Sequence, residues 1–414
     1  MKKISILGST GSIGRQTLKV VEALPDRFQI VALAAGNNLD ELVSQITRHH
    51  PEVVSVASPA LADELHRRLA TALPPGHPEP ETHHGREGML AVATHPDAEI
   101  VLSAAVGVVG LEATYQAVRL GRTVALSNKE VLVAAGELVM AGAAKSGREL
   151  LPVDSEHNAV HQCLRAGKRS QPGDAGSSSS PATALYPEVR RIVLTASGGP
   201  FRKTPLAQLS HATIDQALAH PNWKMGNRIT IDSATMMNKG FEIIEARWLF
   251  GMRPDQIDVI IHPQSVIHSF VELVDGAVLA QLAPPDMRMP IQYALTYPDR
   301  VESQQVQLDW AKLRRLDFEK ASTRRFPCLR LAREAMKRGG AMPCALNAAD
   351  EVAVAAFLDH RLPFLGIPEV VEAVLEKTPG TKFNSIEDVL AADAEARRQA
   401  HEAVSHRASK PVSV

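Results

Sequence analysis

Apolar residues in the first third of the chain fall into short β-branched runs at 3–7, 28–33, 53–56, 100–103 and 123–126. Each has strand length and is apolar at nearly every position, as a strand covered on both faces must be. Between them, 12–23, 39–49 and 60–70 carry apolar residues at helical spacing. Alternation of this kind predicts a parallel sheet flanked by helices over residues 1–150. The segment 74–85, rich in Pro and His, is expected to be a surface loop.

A second region, 151–300, shows strand patterns at 191–196, 229–232, 258–261, 266–273 and 277–282, with one long helix from 233 to about 250. Asp275-Gly276 has the spacing of a hairpin, so this sheet is expected to be partly antiparallel. Residues 301–316 form a linker. From 317 to 414 strand signals vanish, and helical patterns at 327–338, 345–358, 368–376 and 386–404 predict a bundle. Gly, Ser and Pro dominate 169–187, which is expected to be a disordered surface insertion. The fold class is therefore α/β, with a parallel N-terminal sheet, a central α+β unit and a C-terminal helical bundle.

Composition narrows the function. At 414 residues, 45% hydrophobic and 22% charged, the chain has the make-up of a multidomain globular protein. Its 45 basic and 46 acidic residues leave a net charge of −1, which argues against nucleic acid as partner. Cys163, Cys328 and Cys344 are scattered and lack metal or disulfide spacing, so reduced thiols are expected. The apolar run after Lys3 stops at Gly8, too short for a secretory signal, and no stretch has the length and polarity of a membrane span. A cytoplasmic enzyme acting on a small molecule fits these limits.

Gly8-Ser9-Thr10-Gly11-Ser12-Ile13-Gly14 leaves the first strand and opens the first helix. Glycines at this turn let backbone N–H groups approach a pyrophosphate at a helix N-terminus, the arrangement of a Rossmann-like dinucleotide site. The second strand ends in Ala34-Ala35-Gly36-Asn37-Asn38, with no acid before Asp40. A missing carboxylate leaves room for a 2′-phosphate and favours NADPH, while Asn37-Asn38 can equally form a turn and cap the next helix.

Two acidic clusters follow. In Asp154-Ser155-Glu156 an extended backbone would point both carboxylates the same way, toward a cation; a helix N-terminus with an acidic first turn reads equally well. In Asp232-Ser233-Ala234-Thr235-Met236-Met237-Asn238-Lys239-Gly240-Phe241-Glu242, a helix would lean Ser233, Asn238 and Glu242 toward related faces. An all-oxygen donor set suits Mg²⁺ or Mn²⁺. Thr195-Ala196-Ser197-Gly198-Gly199 offers a hydroxyl and free backbone donors to a phosphate. His220-Pro221-Asn222-Trp223-Lys224-Met225-Gly226 is turn-rich yet carries Trp and Met, as a lid over 198–227 would. His262 and His268 read as satisfied interior residues.

These segments, with Leu126-Ser127-Asn128-Lys129-Glu130, together resemble the 1-deoxy-D-xylulose 5-phosphate reductoisomerase family over about residues 3–404. The resemblance implies that Asp154, Glu156 and Glu242 hold the metal. It implies that Ser155, Ser197, His220, Ser233, Asn238 and Lys239 contact a sugar phosphate, that Lys129 faces its reacting part, and that Trp223 lies on the lid. NADPH would be lined by Thr10, Gly11, Ser12, Ile13, Gly36, Asn37, Asn38, Asn128, Glu130 and Gly226. Family members often carry a basic residue where Asn37 stands. The implied reaction is a metal-assisted C–C rearrangement followed by hydride transfer, with Lys129 and Glu156 as candidates for relaying protons, in a homodimer. A semialdehyde-type dehydrogenase would instead need a nucleophilic cysteine in a strand-to-helix turn, a setting none of the three cysteines has.

Overall fold

The computed structural model describes residues 1–165, 186–223, 225–303 and 307–408. The insertion expected at 169–187 lies outside the described residues up to 185, as do Lys224 and residues 304–306.

Seven strands make one sheet: β1 (Lys2–Leu7), β2 (Phe28–Ala34), β3 (Val53–Val56), β4 (Glu81–His84), β5 (Ile100–Ser103), β6 (Thr123–Leu126) and β7 (Leu150–Pro152). Their order is β4-β3-β2-β1-β5-β6-β7, with every pair parallel. Ile4, Ile6, Leu33 and Leu102 are fully buried because α1 (Ser12–Ala23), α2 (Leu39–His49), α3 (Pro59–Ala72), α4 (Gly85–Ala93), α5 (Leu111–Arg119) and α6 (Lys129–Ser146) flank the sheet. The chain runs outward from β1 to β4 and then returns to β5 on the other side of β1. Such a reversal opens a crevice beyond the carboxyl ends of the central strands, where ligands bind in sheets of this kind. β4 corrects the expected loop at 74–85. It is an edge strand whose Glu81-Thr82-His83-His84 has no apolar run to announce it.

The second sheet has β8 (Val189–Ala196), β9 (Ile257–Ile261), β10 (Ile267–Leu273), β11 (Val278–Leu282) and β12 (Glu319–Lys320), in the order β11-β10-β8-β9-β12. Only β8 and β9 run parallel among these pairs, and the hairpin at Gly276 joins β10 to β11. β12, a two-residue strand against β9, lies beyond the point where strands were expected to end.

The helices of this region are α7 (Ser155–Arg165), α8 (Ile214–Leu218), α9 (Asn227–Thr235), α10 (Met237–Phe250) and α11 (Arg288–Thr296). The strand expected at 229–232 is instead the middle of α9. Ile231 and Thr230 are buried there by packing, which overrides the β-propensity of the Ile-Thr-Ile run. The single helix expected from 233 is two helices, divided at Met236 in the left-handed conformation (φ 63°). α11, which the pattern did not reveal, packs on α1 and buries Ile291, Ala294 and Leu295 in the core beneath the first sheet.

α12 (Pro327–Arg338), α13 (Met342–Leu358), α14 (Gly366–Lys377) and α15 (Ile386–Ala408) close the chain. α13 is apolar on almost every side because α12, α14, α15, α6 and α9 surround it. One continuous core runs from β8 and β9 through α10 into these helices. Among the described residues, no helix is long and apolar enough to cross a membrane.

Candidate active site

A cavity of about 650 Å³ lies where the crevice of the first sheet meets the second sheet and the α9–α10 pair. At its nucleotide end are Gly11, Ser12 and Ile13, the first residues of α1. Gly8 makes that turn possible. Its φ is +86°, and a Cβ would sit 2.6 Å from the Ala104 carbonyl oxygen. Asn128, Lys129, Glu130 and Gly226 line the same wall; Asn128 Nδ2 donates to the Gly107 carbonyl at 2.9 Å. Thr10, Gly36, Asn37 and Asn38 lie outside the lining. Gly36, Asn37 and Asn38 are exposed at the end of β2, where Asn38 caps α2 by accepting from Glu41 N–H at 3.1 Å. The capping reading of Asn38 therefore holds.

The three acids come together. Carboxylate oxygens of Asp154, Glu156 and Glu242 lie within 4.8 Å of one another, although Glu242 is distant in sequence and fully buried. The local conformation differs from the extended one considered for 154–156. Ser155 begins α7, and the Asp154 carbonyl accepts from Asn158 N–H at 2.8 Å. Convergence arises because this helix start faces α10.

Two buried ammonium groups balance the acids. Lys129 Nζ lies 3.0 Å from Asp154 Oδ2, 2.5 Å from Asn238 Oδ1 and 3.7 Å from Glu242 Oε1. Lys239 Nζ donates to Glu156 Oε1 at 2.7 Å and also to Glu242 Oε2. Burial works to raise the Asp154 carboxyl, but the charges of Lys129 and His157 override it and hold the group well below the usual carboxylate range. Glu242 goes the other way, pushed up to about 7 by burial and by the charge of Glu156 against the pull of Lys239. Behind them His157 donates from Nε2 to the Glu242 carbonyl at 2.9 Å, with Nδ1 3.3 Å from Glu245 Oε2.

Ser155, Ser197, His220, Trp223, Ser233, Asn238 and Lys239 line the remaining wall. Ser197 Oγ and His220 Nε2 are 3.0 Å apart, and Gly199 N–H donates to Ser197 Oγ at 3.2 Å. His220 Nδ1 accepts from Trp223 N–H at 3.0 Å, which folds the turn over the cavity. Burial lowers the His220 imidazole, favouring its neutral form.

His262 is satisfied as expected, between Asp317 and Val266, but His268 reaches the cavity wall near Glu156. Sequence reasoning also missed Arg228, which lines the cavity and bonds Glu130 on α6 and Glu351 and Asn347 on α13. No local signal could have found it, since its partners lie about 100 residues away in each direction.

The donor set fits a hard divalent cation: three carboxylates close enough to share one ion, all oxygen.

Comparison with known proteins extends the argument to the whole chain. Residues 4–136 match the model of the 1-deoxy-D-xylulose 5-phosphate reductoisomerase family. Residues 150–250 match that family's C-terminal domain, and 282–399 a DXP reductoisomerase C-terminal domain. A reductoisomerase of that name from Solibacter usitatus is 49% identical over 413 residues, covering 100% of both chains. Among solved structures, the Zymomonas mobilis enzyme in complex with NADPH aligns with a TM-score of 0.86 at 43% identity, covering 97% of this chain and 99% of that one. A DOX-P reductoisomerase in complex with NADPH, fosmidomycin and magnesium aligns with a TM-score of 0.90 at 37% identity, covering 99% and 100%. With its glycine turn, converging acids and full-length similarity, this chain belongs to the 1-deoxy-D-xylulose 5-phosphate reductoisomerase family.

Proposed function

We propose that this chain converts 1-deoxy-D-xylulose 5-phosphate to 2-C-methyl-D-erythritol 4-phosphate by NADPH-dependent isomerisation and reduction, a step of non-mevalonate isoprenoid synthesis. The carrying observation is that Asp154 and Glu156 line one cavity with the first turn of α1, while Glu242, buried behind its wall, brings a carboxylate oxygen within 4.8 Å of theirs. Asp154, Glu156 and Glu242 would hold Mg²⁺ or Mn²⁺, which supplies Lewis-acid polarisation of the ketone and its neighbouring hydroxyl. Gly11, Ser12, Ile13, Asn128, Glu130 and Gly226 would form the wall for NADPH, whose nicotinamide supplies the hydride, with Thr10, Gly36, Asn37 and Asn38 reaching its outer nucleotide.

The chain's own part is to bind, orient and move protons. Ser197, His220, Ser233, Asn238 and Lys239 grip the phosphate end, and Ser155 and Trp223 close on the carbon chain. Holding the phosphate remote from the reacting carbons lowers the barrier by orientation. Lys129, its ammonium kept charged by Asp154 and Glu242, holds a proton beside the reacting oxygens. Glu156 is the second candidate for relaying it. The turn over 198–227 excludes water from the aldehyde formed before reduction.

The same proposal divides the chain into a nucleotide unit at 1–150, a catalytic unit at 151–300, a linker at 301–316 and a helical unit at 317–414, in a cytoplasmic homodimer. The outer edge of β11 supports the dimer. It has no strand partner among the described residues, and Val278 (57% exposed) and Leu279 stand open beside it. NADPH oxidation with 1-deoxy-D-xylulose 5-phosphate tests the activity. Turnover with Mg²⁺ or Mn²⁺ that stops on adding a chelator is expected, and no turnover with either metal refutes the assignment.

A further inference from the structure

The carboxyl groups of Asp232 on α9 and Asp350 on α13 meet across the contact between these helices. Asp350 is fully buried, and Asp232 is 4% exposed at the cavity wall. Both oxygens of Asp350 and Oδ1 of Asp232 have no hydrogen-bond donor among the described residues. The nearest cation is Arg228. Its Nε is 3.6 Å from Asp232 Oδ2, but its terminal nitrogens are committed to Glu130, Glu351 and Asn347. Two ionised carboxylates in so dry a place would repel, whereas one protonated acid is a donor to the other.

We propose that Asp232 and Asp350 share one proton, and that the resulting hydrogen bond is a positioning contact by which α13, beside its bonds to Arg228, holds α9, and with it Ser233, against the cavity. The positioning role rests on the reading of Ser233 as a substrate contact; the shared proton does not.

Arg228 stands beside Asp232 on α9, Glu351 follows Asp350 on α13, Lys129 and Glu130 approach from α6, and the Cys328 thiol from α12. Burial raises both carboxyls above the usual range. Arg228 pulls Asp232 partly back, while the charge of Asp232 raises Asp350 further. The folded chain thus binds this proton more tightly than the unfolded chain does. The contact is complete below the ordinary Asp range and is lost as pH rises through the raised range of the pair.

The test combines pH profiles with infrared spectra of the full chain. Asp350→Asn offers Asp232 a neutral N–H donor of the same shape. It should keep turnover within about 2-fold at neutral pH and lack the alkaline rise in KM for 1-deoxy-D-xylulose 5-phosphate that is expected of the parent. Asp350→Ala leaves Asp232 with neither proton nor donor, and should raise KM about 10-fold at every pH. The infrared difference between the parent and Asp350→Asn, both free of substrate at neutral pH, should contain a protonated-carboxyl C=O band, since the contribution of the raised Glu242 is common to both and cancels. If Asp350→Asn does not fold, Asp232→Asn reads the same band from the other side. Absence of that band from the difference, or a parent-like alkaline rise in Asp350→Asn, overturns the proposal. A chain that shows the band yet turns over no substrate refutes the assigned activity and supports the shared proton.

Discussion

Lys239 Nζ and Glu156 Oε1 lie 2.7 Å apart, joining α10 to the start of α7 across 83 residues of sequence. Lys239 is 3% exposed and also donates to Glu242, so one ammonium neutralises much of the repulsion between two acids. Lys239→Ala should cost about 3 kcal/mol, because it leaves buried charge without a partner. Mg²⁺ should restore more of that loss than it adds to the parent, since the freed carboxylates attract the cation more strongly. Urea denaturation with and without Mg²⁺ checks both points; equal gains in the two proteins would place the cation elsewhere.

Glu242→Gln keeps the size of the side chain and removes one of the three negative donors. Turnover should fall on the order of 10²- to 10³-fold, while NADPH affinity, read by fluorescence titration, stays unchanged. Equal loss of both would mean that Glu242 supports the fold rather than the reaction.

At Gly14 a Cβ would press against the backbone of Gly8 and Ser9, closer than atoms pack. Gly14→Ala should therefore push α1 away from the glycine turn. The expected costs are about 1–3 kcal/mol of stability and most of the NADPH affinity. Thermal unfolding and NADPH titration read the two effects, and unchanged NADPH binding would separate this turn from the nucleotide.

Asn37 is exposed at the end of β2, outside the cavity lining, and no carboxylate precedes Asp40. Asn37→Arg supplies a charge for a 2′-phosphate. It should raise the kcat/KM preference for NADPH over NADH about 10-fold, or roughly 1.4 kcal/mol. An unchanged ratio would mean that the 2′-phosphate lies away from this corner.

The parallel sheet was legible because its strands are buried on both faces and therefore uniformly apolar, and the ends of α1, α2 and α12 coincide with the helical spacing. β4 was not, because an edge strand can be polar throughout. Residues 229–232 misled because Ile229, Thr230 and Ile231 favour strands locally, while packing against α13 and the Arg228–Asp232 pair, one turn apart, settles them as helix. In the site, the motifs brought forward Asp154, Glu156 and Glu242, because each lies in a run of unusual residues, while Lys129 came only with the family resemblance. Arg228 and Asp350 stand in ordinary helical sequence. Their surroundings are made by tertiary contacts among α6, α9 and α13, and no window of sequence contains those contacts.

The left-handed residue at Met236 has a geometric consequence. In an unbroken helix Glu242 would follow Ser233 by about two and a half turns, and the two side chains would leave opposite sides of the rod, which corrects the expectation that one helix leans them toward related faces. The interruption resets the angular phase of α10 relative to α9. Ser233 on one rod thereby lines the cavity while Glu242 on the next joins Asp154 and Glu156, and a regular helix restored across position 236 would turn one of them away.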